Sequence, residues 1–122
     1  MKGVRCHLFV VVLLLSACCF NENTELLFDR EIIVKDSPYQ DSAHVVLLIQ
    51  NKSSDTVGLI MIPECDCTVI KPEYLHLKPH SRQRVDVAYF VNSKYYYEKI
   101  LYVEREKTGV QDTIVIRGNV QE

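Results

Sequence analysis

The stretch PECDCTVIKPEYLHLKPHSRQRVDVAYFV, from Pro63 to Val91, decides the fold. It opens with two cysteines, passes two prolines and ends in a segment from Arg82 to Val91 whose apolar and polar residues alternate. Alternation with a period of two is typical of a β-strand that has one buried face. The positions expected to face inward are Val85, Val87, Tyr89 and Val91, and those expected to face outward are Arg84, Asp86 and Ala88.

Similar short segments lie on both sides of this stretch, and turn-forming residues separate them. No segment repeats its apolar residues with the period of about 3.6 that a helix requires. The pattern therefore predicts an all-β fold, an Ig-like antiparallel β-sandwich of about seven strands. The flanking segments that we expect to be strands are Leu26 to Lys35, His44 to Asn51, Thr56 to Ile62, Tyr95 to Arg105 and Gln111 to Val120.

The segment from His44 to Asn51 is apolar on both faces. Val45, Leu47 and Ile49 share one face, and Val46 and Leu48 lie on the other. A strand with two apolar faces is typical of one that is covered on more than one side. We therefore expect this strand to be central and covered.

The N-terminal residues resemble the signal peptide of a bacterial lipoprotein. Lys2 and Arg5 precede an apolar run that is too short to span a bilayer. The run ends in Leu15-Ser16-Ala17-Cys18, which resembles a lipobox, and this implies cleavage before Cys18 and acylation of that cysteine. The alternative is an ordinary secretory signal.

This reading divides the chain into a signal peptide (1–17), a lipidated N-terminus with a short tether (18–25) and an Ig-like domain (26–122). It predicts a location in the bacterial cell envelope, anchored to the membrane through the lipid. The outer membrane is favoured because Cys19, rather than an aspartate, follows the lipidated residue.

Charge and composition restrict the partners. The formal net charge is −2, and it becomes −4 when Lys2 and Arg5 leave with the signal peptide. A weakly acidic chain without a basic stripe argues against nucleic acid as a partner. The mature chain is long enough for one hydrophobic core.

Cys65 and Cys67 carry the clearest chemical signature in the mature chain. In a strand, residues two apart point the same way with Cα atoms ~6.6 Å apart, so a disulfide between them requires a tight turn at Asp66. Two thiolates on one side are alternatively suited to Cu(I) or to thiol exchange. The pair is also compatible with simple packing as small apolar residues at the end of a strand. The sequence leaves these three interpretations open.

The remaining polar residues do not form a recognisable catalytic constellation. His76 and His80 follow the cysteines across two prolines and are expected to be solvated, and His44 is expected to be structural. We therefore predict no catalytic activity, no resident metal and no cofactor.

The tyrosine-rich segment that begins at Tyr95 offers a possible binding surface. Because side chains alternate, Tyr96, Ile100 and Tyr102 share a face opposite Tyr97. Exposed, that face would be an aromatic patch for a protein or glycan partner. Covered by a loop or by the N-terminal segment, it would be part of the core. Both interpretations stay open.

Several of these motifs together resemble a known group of domains. Pro63-x-Cys65-x-Cys67-Thr68, Leu75-x-Leu77-x-Pro79-x-Ser81, Val85-x-Val87-x-Tyr89 and the segment from Thr113 to Val120 are similar to bacterial Ig-like domains of unknown function found in envelope lipoproteins. Those domains in turn resemble the major-sperm-protein, PapD-like and ASH group. The resemblance implies the fold and an envelope location, and it implies no reaction. Members of the group often have glycine where this chain has Asp66.

Three hypotheses about function follow. The first is a lipid-anchored, non-catalytic Ig-like module that binds a protein partner or serves a structural role. The second is a small thiol-redox or Cu(I)-binding protein that uses Cys65 and Cys67. The third is an edge-strand chaperone of the PapD type, because an unpaired sheet edge can accept a strand from a partner.

Overall fold

The structure, a computed structural model, describes residues 25–120. Nine strands cover this part of the chain. Their bounds are β1 (Leu26–Leu27), β2 (Glu31–Ser37), β3 (Asp41–Asn51), β4 (Val57–Pro63), β5 (Thr68–Lys71), β6 (Tyr74–Leu77), β7 (Arg82–Val91), β8 (Tyr96–Arg105) and β9 (Gln111–Val120). No helix in this part of the chain is long and apolar enough to cross a membrane.

The strands form two sheets that pack face to face. Sheet A has the order β1-β3-β7-β5, and sheet B has the order β2-β9-β8-β4-β6. The predicted Ig-like sandwich is confirmed, with two differences. The first apolar segment divides into β1 in sheet A and β2 in sheet B, and β2 pairs with β9 in parallel, whereas every other pair of neighbours is antiparallel.

The core lies between the sheets and follows the predicted alternation. Val85, Val87, Tyr89 and Val91 of β7 are buried, as expected. Sheet B contributes the buried residues Leu59, Met61, Leu75, Leu77, Tyr97, Leu101, Val103, Ile114 and Ile116. Burial of each large side chain of this kind stabilises the fold by about 1.5–3 kcal/mol relative to exposure.

One expectation about β3 is wrong. The strand is internal to sheet A, but its second face is not covered, because Val46 is 53% and Leu48 is 51% exposed. The apolar residues on that face suggested a second packing layer. Among residues 25–120 no element lies over it.

Hydrogen bonds of the Asn51 side chain connect the turn after β3 with the turn before β7. Its buried side-chain amide donates to the carbonyl oxygens of Asp55, Leu77 and Lys78, at 2.8, 3.1 and 3.2 Å. Its side-chain oxygen accepts from the amide and the hydroxyl of Ser53, at 3.0 and 2.7 Å. These contacts satisfy the carbonyls at one end of the sandwich, which is also the end where Glu25 enters.

Candidate functional site

The outer surface of sheet A carries exposed apolar side chains from three strands. Val46 and Leu48 lie on β3, Phe90 on β7 and Val69 on β5, and their exposed fractions lie between 45% and 53%. We call these four residues the sheet A face. Exposed apolar side chains grouped on one surface are candidates for contact with a partner. An exposed ion pair between Arg84 and Asp86, 3.0 Å apart, lies on β7 directly across from Leu48 and Val46, so the four apolar side chains do not form one continuous patch.

The edge of β3 next to this face is open along most of its length. β1 pairs only with Gln50 and Asn51, and among the described residues no other strand pairs with that side of β3. The amide of Asn51 donates to Ser81 on the β7 side, whereas the amide of Lys52 donates to Glu25 on the β1 side. Main-chain groups alternate along a strand, so the even-numbered residues of β3 direct theirs to the open edge.

Only one of these edge amides is engaged by a side chain. The carboxylate of Asp41 accepts from the amide of Ser42 at 2.7 Å. His44, Val46 and Leu48 present their amides and carbonyls along the rest of the edge. The same residues point their side chains outward, so the edge and the sheet A face form one surface.

The three residues of the predicted aromatic patch lie on the outer surface of sheet B. Tyr96 is 51% exposed, and Ile100 and Tyr102 are half-buried. Val115 stands across from Ile100, and Ile62 stands across from Tyr102. The apolar part of the surface therefore continues over β9 and β4 rather than toward Tyr96.

Tyr96 belongs instead to a charged network. Its hydroxyl donates to Glu98, and Arg117 contacts Glu98 at 3.2 Å and Glu31 at 2.9 Å. The hydrogen bond from Tyr96 lowers the pKa of Glu98, and the same bond raises the pKa of Tyr96. The carboxylate of Glu31 raises the pKa of Arg117. This charged network occupies the part of the outer surface of sheet B where Tyr96 lies, and apolar side chains occupy the neighbouring part over β8, β9 and β4.

Cys65 and Cys67 form a disulfide in the turn that carries the chain from β4 in sheet B to β5 in sheet A. Their Cα atoms are 5.3 Å apart. The turn at Asp66 brings them together, and the amide of Thr68 donates to the carbonyl of Cys65 at 3.3 Å. Both cysteines are exposed.

Lys99 is the residue that sequence reasoning missed. Its ammonium group lies 3.5 Å from the sulfur of Cys67, although the two residues are 32 positions apart. The charged residues that neighbour the cysteines in sequence are both acidic, Glu64 and Asp66. A signal was available, because Lys99 shares the inward-facing alternation of Tyr97 and Leu101, where a lysine is unusual.

The three histidines that the structure describes do not approach the disulfide. His44 and His76 point outward from β3 and β6, and His80 lies in the turn before β7, where its amide donates to Ser53 at the opposite end of the sandwich. Among residues 25–120 no group of three or more His, Cys, Asp or Glu side chains is placed to hold a metal ion.

A buried chain of hydroxyl groups links the two sheets. Tyr97 lies 2.7 Å from Ser37 and 2.7 Å from Tyr89, oxygen to oxygen, and the two tyrosine rings are tilted with centroids 5.4 Å apart. Burial, together with the hydrogen bond to Tyr97, raises the pKa of Tyr89 far above its usual range. These hydroxyls are enclosed by the core, so their role is structural.

A polar depression of about 550 Å³ lies at the end of the sandwich where Glu25 enters. Asp55, Gly58, Arg105 and Lys107 line it.

The predicted signal peptide, the lipidation site Cys18 and nearly all of the tether lie outside the described residues. The prediction of a lipid anchor therefore stays a prediction.

Solved structures of several proteins are similar to this sandwich. The ASH/PapD-like domain 7 of human CEP192 matches with a TM-score of 0.66 and 13% identity, over 81% of this chain and 87% of that one. WR4, a major-sperm-protein family member of C. elegans, matches with a TM-score of 0.54 and 9% identity, over 80% and 98%. The fold is that of the PapD-like and major-sperm-protein domains.

A bacterial chaperone shares the fold as well. CupB2 of Pseudomonas aeruginosa matches with a TM-score of 0.60 and 10% identity, over 74% of this chain, which spans 53% of the chaperone. Parts of two proteases and a glycoside hydrolase are also similar, but this chain covers 33% or less of each. No protein-family model and no curated protein matches the sequence. At these identities the similarity shows the fold alone.

Proposed function

We propose that this chain is a non-catalytic protein-interaction module, held in the bacterial cell envelope by a lipid on Cys18, that binds an extended segment of a partner protein along β3. The observation that carries the proposal is the open edge of β3 beside the sheet A face. The lipobox-like residues that end at Cys18 support the anchor, with the outer membrane as the favoured location.

The open edge defines the chemistry of the partner. A strand that adds to a sheet edge gains main-chain hydrogen bonds, and its alternate side chains determine specificity. Here the free main-chain groups belong to His44, Val46 and Leu48, and two of these three side chains are apolar. A partner segment with apolar residues at alternate positions would pair with the edge and place those side chains beside Val46 and Leu48 on the outer surface of sheet A.

Exposed apolar edges favour aggregation in proteins that leave them without a partner. Native sheets commonly protect such edges with charged residues, prolines or bulges. From Ala43 to Ile49, where β1 does not pair with it, β3 contains neither an acidic or basic residue other than His44 nor a proline. An edge of this composition is consistent with one that a partner normally occupies.

Site-specific photo-crosslinking in cells tests this proposal. A photoreactive amino acid replaces Leu48, and in a matched control it replaces Ile33, which is 63% exposed on sheet B. We expect a discrete crosslinked protein from position 48 and none from position 33. Equal products from both positions would mean that sheet A has no specific partner.

A charge variant of the same surface distinguishes binding from stability. Leu48→Lys introduces an ammonium group at the open edge, and because the site is half exposed, we expect a change in unfolding free energy within about 0.5 kcal/mol. The crosslink, placed at Val46 in this variant, should be lost. A retained crosslink would argue against strand addition at β3.

Radiolabelled palmitate tests the anchor separately. Cys18→Ser should abolish incorporation of the label and leave the precursor uncleaved. Label that persists in Cys18→Ser would overturn the lipid anchor while leaving the β3 surface open to test.

An edge-strand chaperone is the second candidate, and the same open edge supports it. The two functions differ in the fate of the partner. A chaperone leaves once its partner has folded, whereas an interaction module stays bound in the complex recovered from membranes. A pulse-chase experiment separates them, because it shows how long after synthesis irradiation still produces the crosslink from position 48.

A further inference from the structure

The Cys65–Cys67 disulfide contributes little to holding the sandwich together. It closes a loop with one intervening residue, and the stabilisation that a disulfide gains from loop closure falls as the loop shortens. Both cysteines are exposed rather than packed in the core. The bond is therefore accessible to a thiol from outside and is not explained by stability alone.

The two sulfur atoms have different electrostatic surroundings. The ammonium of Lys99 lies 3.5 Å from the sulfur of Cys67, and the hydroxyl of Thr68 lies 3.8 Å from the same atom. The other charged groups of the turn are the carboxylates of Glu64, which precedes Cys65, and of Asp66, which lies between the two cysteines. A nearby cation favours a thiolate over a thiol, and a sulfur stabilised as thiolate is the better leaving group in disulfide exchange.

We propose that Cys65–Cys67 is a redox-active disulfide that accepts electrons from a dithiol of a partner protein, with Lys99 stabilising the departing Cys67 thiolate. The first partner thiolate attacks the sulfur of Cys65 and forms a mixed disulfide. The Cys65–Cys67 bond breaks, and its electron pair leaves on Cys67 beside the ammonium of Lys99.

A second partner thiolate completes the reaction. It attacks the partner's own sulfur in the mixed disulfide, and Cys65 leaves as a thiolate that takes up a proton. The partner dithiol is thereby oxidised to a disulfide, and Cys65 and Cys67 are reduced. The two partner thiols lose two protons, of which one goes to Cys65 and one to water while Cys67 stays paired with Lys99.

Reduction of the purified full-length protein by reduced glutathione tests this proposal. Acid quenching, alkylation and mass spectrometry give the rate of disulfide loss. We expect Lys99→Gln to react about tenfold more slowly than the wild type, because the leaving thiolate loses its cation, and Lys99→Arg to stay within about twofold. Lys94→Gln, an exposed lysine on the turn before β8, is the matched control for net charge and should react like the wild type.

Alkylation of the reduced protein gives a second measurement. Its result would not depend on the charge of residue 99 if Lys99 had only a structural role. The pH midpoint for reaction of Cys67 with iodoacetamide should be higher in Lys99→Gln than in the wild type and unchanged in Lys94→Gln. With oxidised glutathione, the Cys67→Ser variant should accumulate a stable mixed disulfide, because the thiolate of Cys65 attacks the glutathione disulfide, releases one glutathione thiolate and has no neighbouring thiol to displace the other.

Three results would count against the proposal. The first is an equal rate of reduction in the wild type and Lys99→Gln. The second is an equal slowing in Lys99→Gln and Lys94→Gln, which would assign the effect to net charge. A loss of the fold in the double variant of Cys65 and Cys67 to Ser, seen by circular dichroism, would instead assign the bond a structural role and count against a redox cycle.

Discussion

The hydroxyl oxygens of Tyr89 in sheet A and Tyr97 in sheet B lie 2.7 Å apart in the interior of the sandwich. The contact is one of few polar links across a core that is otherwise apolar, and Ser37 extends it to β2. No buried side-chain nitrogen or oxygen of the described residues lacks a hydrogen-bond partner. The register of the two sheets is therefore held by directional bonds as well as by apolar packing.

Removal of the central hydroxyl tests this link. Tyr97→Phe leaves the hydroxyls of Ser37 and Tyr89 without their common partner, and an unsatisfied buried group costs about 1–3 kcal/mol. We expect a loss of that size in urea unfolding. Tyr95→Phe removes a hydroxyl from a side chain that is 70% exposed and should change little. Equal stabilities of the two variants would show that the buried chain contributes nothing measurable.

The pH dependence of stability follows from the raised pKa of Tyr89. The folded protein holds this proton more tightly than the unfolded chain does, so the associated stability is complete below the unfolded pKa of about 10 and declines above it. The decline from this group should approach about 1.4 kcal/mol per pH unit. Tyr89→Phe should unfold with a shallower dependence between pH 10 and 12 in denaturant titrations, and Tyr95→Phe should keep the wild-type slope.

Gly118 of β9 leaves room for the ring of Tyr97, which pairs with it across the sheet. A Cβ atom at position 118 would collide with that ring. The ring is held by Ser37 and Tyr89 and has little freedom to move, so Gly118→Ala should cost about 2 kcal/mol or more, as overpacking does. Gly58→Ala is the matched control, because its new methyl meets only the flexible side chain of Glu106. Thermal unfolding of the two variants side by side gives the comparison, and similar midpoints would refute the close approach.

The stability of the fold should be sensitive to replacement of the side-chain amide of Asn51 by a carboxylate. Asn51→Asp replaces an amide that donates to three carbonyl oxygens with a buried carboxylate that repels them. We expect a loss of about 3 kcal/mol in denaturant unfolding. Asn119→Asp makes the same chemical change at an exposed site and should be nearly neutral. A small effect at position 51 would mean that its hydrogen bonds are replaceable by water.

The alternation of apolar residues predicted the strands that have one buried face and one solvent-exposed face. In β7 the buried positions are those the pattern selected, because a period of two reports directly which side chains meet the core. In β8 both faces are apolar, so the pattern grouped the side chains correctly but did not choose the buried face. The same pattern misled for β3, where apolar residues on the outer face indicated a second layer. The alternation shows which face of a strand is apolar. It does not show whether another part of the same chain covers that face or whether the face is exposed.

Relationships between distant parts of the chain were not predictable in the same way. The parallel pairing of β2 with β9 and the approach of Lys99 to Cys67 depend on strand order, which local composition does not encode. The turn at Asp66 was recognised as the condition for a disulfide, but the sequence could not choose among the three states of the cysteines. The alternation in β8 marks Lys99 as unusual, but only the position of β8 beside the turn shows that its ammonium group lies next to the sulfur of Cys67.

The parallel pairing of β2 with β9 also affects the order in which the chain can fold during synthesis. β2 is the first strand of sheet B to leave the ribosome, and β9, which supplies its only partner in the described chain, is the last. Contacts between such distant segments form late and slow the folding of β-sandwiches. A nascent chain that has not yet reached Gln111 lacks β9 and therefore cannot complete sheet B. We expect proteases to cleave such an incomplete chain more readily than the finished domain.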